Sequence, residues 1–185
     1  MAAVDERWSS RQKIDAATLN RASHAPIQVL ANPPSFRAVG LTNDNVTGQV
    51  PITWKSYDTR GGFTSKDRID FKPPVPGIYW VNCMASMTTP ANWDGTTNTG
   101  TLLLQVGTTQ GSSSPTVLKG YTSTKVKGSY QAARTSGLMY LNGSQTLWAS
   151  IQGYGGTWTK PKSSNPDESL AVFSAVLIAP DATSL

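Results

Sequence analysis

The chain has 185 residues, 38% of them apolar, 9% aromatic and 15% charged, with a formal net charge of +5. That length holds one domain and an arm, and the apolar share suffices for a buried core. One Cys and one His exclude a disulfide framework, Cys-rich metal centres and multi-His sites, while 16 Gly and 12 Pro argue for many turns and against long helices.

Residues 1–10, MAAVDERWSS, lack the apolar core and basic start of a signal peptide. No apolar run reaches membrane-spanning length; the longest, 170–180, is strand-sized and interrupted by Ser174. Synthesis in a cytoplasm is therefore expected, with Cys83 a reduced, buried small hydrophobe beside Val81 and Ala85. The acceptor patterns at Asn45 and Asn142 are then read as coincidence.

Residues 1–34 read as an N-terminal arm. Ala16, Ala17, Leu19 and Ala22 suit a short helix after Asp5, and the stretch 26–34, PIQVLANPP, stops it and reads as an extended linker. Two readings stand side by side: an arm partly disordered throughout, and one that orders on a partner through Trp8, Ile14 and Leu19.

From Ser35 the period becomes two, as Phe36, Ala38 and Gly40 alternate with Arg37 and Val39. Ile52, Trp54 and Ser56 repeat the pattern, Ile69 and Phe71 flank Asp70, and Pro76-Gly77 turns the chain into a strand over 78–87. Further strands are expected over 102–106, 117–121, 137–141, 147–152 and 170–179. Asn142-Gly143 between two of these runs signals a hairpin, because both residues tolerate positive φ. The pattern is an all-β sandwich or barrel without a fixed repeat.

Two of the strands are apolar on both faces. Tyr79, Val81, Cys83 and Ala85 form the expected core face of one, yet Ile78, Trp80 and Met84, with Asn82, form the other. In the closing strand Ala171, Phe173, Ala175 and Leu177 oppose Leu170, Val172, Val176 and Ile178. A sandwich strand covered on both faces needs a third layer, from a symmetric neighbour or from a linker or loop of the same chain. Trp80, Met84, Val176 and Ile178 are the interface candidates.

Phe71-Lys-Pro-Pro-Val-Pro-Gly-Ile-Tyr79 resembles the "F-x-V-P-G-x-Y" signature of the tumour necrosis factor-like jelly roll, in the branch that includes complement-type globular heads. Ser35–Ala38 resembles that family's first strand, 136–141 its sixth and 145–148 its seventh. Phe173–Ile178 resembles its closing "F-S-G-x-L-I", with Ala175 in place of the usual Gly. The resemblance implies a ten-strand, two-sheet antiparallel jelly roll over residues 35–180 that assembles as a tight homotrimer, which leaves 181–185 as a tail. It does not carry over a calcium site, because the acids here are few and scattered.

Chemistry of an active site is not evident. His24 has no nucleophile in a recognisable elbow, and Gly153-Tyr-Gly-Gly156 lacks the lysine and the strand-to-helix context of a phosphate loop. The expectation is a non-enzymatic protein with no metal and no cofactor. No acid lies between Asp94 and Asp167, a window that holds Lys119, Lys125, Lys127, Arg134, Lys160 and Lys162. Such a window suits an anionic partner or a plain solvated face, and the thin supply of interleaved aromatics, Tyr121 and Tyr130, argues against nucleic acid. Trp93, Tyr154 and Trp158 are loop aromatics suited to glycan contact or to capping the ends of the jelly roll. By analogy, a stalkless jelly-roll trimer with an arm suggests a bacteriophage virion protein. It would decorate and cement a head by binding the major capsid protein, or else form a glycan- or receptor-binding head on a fibre shaft.

Overall fold

A computed structural model describes residues 31–90, 99–108, 118–161 and 171–181. Most of the expected arm, with Trp8, Ile14, Leu19 and His24, lies outside the described residues, as do Trp93 and Leu170. The described chain forms thirteen strands: β1 (Ser35–Leu41), β2 (Asn45–Val46), β3 (Gln49–Pro51), β4 (Trp54–Arg60), β5 (Thr64–Lys66), β6 (Asp70–Lys72), β7 (Gly77–Thr88), β8 (Gly100–Gly107), β9 (Leu118–Thr124), β10 (Tyr130–Leu141), β11 (Leu147–Tyr154), β12 (Trp158–Thr159) and β13 (Ala171–Pro180).

They make two antiparallel sheets, the all-β jelly-roll sandwich expected from the sequence. In the first, β4, β1, β13 and β7 lie side by side, β10 flanks β7, and β12 with β2 joins at the end of β7. The second runs β5-β6-β11-β8-β9, with β3 also on β11. Side chains alternate across each strand, so β7 sends Tyr79, Val81, Cys83, Ala85 and Met87 between the sheets. There they meet Phe173 and Leu177 of β13 and Leu102, Leu104 and Val106 of β8. An aromatic cluster fills one end of this core: Phe36 stacks flat on Phe71 at 4.1 Å, and Phe173 meets Phe36 edge-on at 5.0 Å.

The Pro-Gly turn before β7 has a steric reason. A side chain at Gly77 would put its Cβ 2.5 Å from the Ala179 carbonyl oxygen, so only glycine lets β7 and β13 close at that corner. Two residues later the Tyr79 hydroxyl donates to the Val75 carbonyl at 2.7 Å, bracing the turn from inside. Burial pushes the Tyr79 phenol up to about 12 from its ordinary 10. Between those values the unfolded chain has lost this proton and the folded chain keeps it, so Tyr79 makes stability fall as pH rises through the window. In an absorbance titration Tyr79→Phe should remove a phenol that ionises at about 12 and flatten the alkaline fall in stability.

One expectation is corrected. Asn142-Gly143 is a turn, with Gly143 at φ 77, but not a hairpin. β10 pairs with β7 in one sheet and β11 with β8 in the other, so this turn carries the chain between the sheets. The Asn142 side-chain oxygen accepts from the Ser144 and Gln145 amides at 3.1 and 3.2 Å, so the side chain builds the turn without a ladder.

Candidate functional site

The face of the first sheet turned away from the core is set by register. Ser35 pairs with Val176, Val176 with Trp80 and Trp80 with Leu138, so these four share one row on that face. Ile78 pairs with Tyr140 in the next row, and Ile178 lies where the β13 register shifts beside it. Five of these side chains are large, apolar and open: Ile78 is 40% exposed, Trp80 45%, Leu138 60%, Tyr140 51% and Ile178 50%. Isolated exposed apolar residues are ordinary, but five in adjacent rows are a patch.

Of the four interface candidates, Trp80, Val176 and Ile178 fall within this patch. Met84 lies on the same face, half-buried, in a separate row with Val172. A polar row of Asp58, Arg37, Ser174, Asn82 and Ser136 separates the two. Sequence reasoning missed Leu138 and Tyr140. The signal was available, because the run 137–141 is apolar on both faces just as the closing strand is, with Met139 and Leu141 buried on the other side.

Pro34, just before β1, lies beside this patch. The Pro34 carbonyl accepts from the Leu177 amide at 2.9 Å, fixing where the chain enters β1. The C-terminal segment leaves from the same end, where the Asp181 amide donates to the Pro76 carbonyl at 3.0 Å. The Tyr140 hydroxyl donates to Asp181 Oδ2 at 2.7 Å, a bond to a carboxylate that holds the phenol above its usual range.

The loop aromatics divide. Tyr154 is 46% exposed at the end of β11. Trp158 is fully buried, and its indole N–H donates to the Tyr154 carbonyl at 3.0 Å, so it caps one end of the core and is not available to a ligand. Gly153 makes room for it, because a Cβ there would lie 2.4 Å from the indole Cδ1. Trp158→Ala should cost about 3–5 kcal/mol of stability, read by denaturant titration. Cys83 is buried, and desolvation pushes its thiol well above the ordinary range, so it stays an inert part of the core. Among the described residues no group of His, Cys, Asp and Glu could hold a metal ion, and no helix is long and apolar enough to cross a membrane.

No family model and no curated protein matches the sequence. Solved structures do match the fold. The Eiger TNF of S. frugiperda superposes with a TM-score of 0.53 at 12% identity, covering 81% of this chain and 95% of its own. The globular domain of zebrafish complement 1qA protein gives 0.53 at 16% identity, covering 80% and 99%. Murine APRIL gives 0.51 at 11% identity, covering 79% and 99%. At these identities the likeness concerns architecture alone, and on that level the chain is a tumour necrosis factor-like jelly roll.

Proposed function

We propose that the chain is a non-enzymatic structural protein that assembles as a homotrimer and decorates a viral head, binding the major capsid protein through residues 1–34. The observation that carries the self-association is the open apolar patch of Ile78, Trp80, Leu138, Tyr140 and Ile178 on an otherwise ordered sheet face. Burying such a patch against a second copy supplies the missing third layer, and the trimer is the assembly that the resembled jelly-roll family implies. The decoration reading draws on the position of the arm root at Pro34, on the same end as the patch. A trimer closed through that patch then gathers three arms at one end, suited to gripping a shell.

Removing residues 1–30 tests the division of labour, since it leaves Pro34 and its bond to Leu177 in place. The truncated chain should keep the native mass of the full one and lose co-sedimentation with empty heads of the virus that encodes it. Undiminished co-sedimentation contradicts the arm's role. The alternative, a receptor- or glycan-binding head on a viral fibre, loses Trp158 to the core and keeps Tyr154 exposed, while Trp93 lies outside the described residues.

A further inference from the structure

The second sheet turns a different surface outward. In its edge strand β9, Lys119, Tyr121 and Ser123 point away from the core, and exposed Lys125 continues the alternation. Register extends the face across the sheet: Tyr121 pairs with Leu103 and Leu103 with Gln152, while Ser123 pairs with Thr101 and Thr101 with Tyr154. Tyr121 is 75% exposed and Tyr154 46%. They stand at diagonal corners, two strands and one alternation step apart, about 12 Å between Cα atoms by strand spacing and rise. Between them the Thr101 and Ser123 hydroxyls lie 2.9 Å from each other, beside the half-buried Gln152.

We propose that this face of β8, β9 and β11 binds an acidic oligosaccharide, laid across Tyr121 and Tyr154. A tyrosine ring offers a flat apolar surface to the C–H face of a sugar at little entropic cost. The hydroxyl pair and the Gln152 amide between the rings can exchange hydrogen bonds with ring hydroxyls. Lys119 and Lys125 bracket the row with positive charge, and no acidic residue occurs between Asp94 and Asp167. Two lysines at the ends of a neutral, hydroxyl-lined row match a chain whose charges are spaced by sugar rings. A nucleic acid, with a charge on every phosphate, calls for a denser basic track. The surface lies on the opposite side of the sandwich from the apolar patch of the first sheet, so the inference does not depend on the trimer or on a virion role.

The test is titration of the full-length chain with short fragments of polygalacturonate, alginate, hyaluronan and heparin. A neutral dextran fragment and an oligo-thymidylate are the controls. At least one acidic fragment should bind, more weakly as salt rises, while dextran does not. Tyr121→Ala and Tyr154→Ala should each weaken that binding roughly tenfold, and Lys119→Glu with Lys125→Glu should abolish it. All four side chains are replaceable without loss of core, so the melting temperature and native mass of each variant should match the parent. Failure of every acidic fragment to bind, binding indifferent to the tyrosines, or tighter binding of oligo-thymidylate overturns the proposal. A changed native mass in the lysine variant also overturns it, by placing the face in a subunit contact.

Discussion

Trp80→Glu combined with Leu138→Glu is expected to yield a folded monomer. The two residues are paired neighbours on β7 and β10, and both point away from the core, 45% and 60% exposed. Replacing them therefore leaves the packing between the sheets untouched, and circular dichroism should still report the parent β-sheet content. At the proposed interface the effect is large. Each substitution removes a central apolar anchor and buries a carboxylate with no partner, a loss of about 2–4 kcal/mol per site, repeated at every subunit contact of a symmetric assembly. The sum exceeds what holds an ordinary oligomer together at micromolar concentration, and native mass should fall threefold. A conservative pair, Trp80→Phe with Leu138→Met, should keep the assembly. An unaltered mass in the glutamate variant contradicts the assignment of the patch.

Gly120→Ala should be the most damaging single-methyl change outside the aromatic cluster. Gly120 lies on β9 where the edge of the second sheet crosses β10 of the first. An added Cβ would fall 1.8 Å from the Arg134 carbonyl oxygen and 2.5 Å from its carbon. Those atoms are backbone, held in the ladder that pairs Arg134 with Met84, so neither partner can move aside cheaply. The two sheets must part locally, with a cost of roughly 3 kcal/mol or more and a fall in melting temperature of about 10 °C. Gly48→Ala is the matched control, because nothing lies within 4 Å of a Cβ there. Equal melting temperatures for the two variants would show that the β9–β10 corner is looser than the geometry states.

Much of this architecture was legible because its signals are local. The period of two in 78–87 and 171–179 separates the two faces of β7 and β13. The Pro-Gly turn locates the start of β7. The first half of β10 was not legible, since Gln131-Ala-Ala-Arg-Thr-Ser136 has almost no apolar alternation and is held as a strand by its long pairing with β7. The same limit explains Asn142-Gly143: turn chemistry is local, but whether the flanking strands pair is decided by partners far away in sequence.

Of the surfaces, the outward side chains of Trp80, Val176 and Ile178 could be read from strands apolar on both faces. Leu138 and Tyr140 carry that signal too, in a shorter run. For Trp158 the sequence left capping and glycan contact both open, and capping is what the structure shows, decided by the glycine that admits the indole and the carbonyl that satisfies its N–H at the end of β11. Tyr121 was visible only as an aromatic among bases. Its place diagonal to Tyr154 emerges from the pairing of β9 and β11 through β8.

The most direct measurement is the native mass of the full-length chain by light scattering on a sizing column. A mass near three times 19.8 kDa is the expected result and would give the apolar patch of the first sheet its covering layer. A stable, well-folded monomer would contradict the account, leaving that patch to be covered by the chain's own segments and removing the support for a trimeric decoration protein.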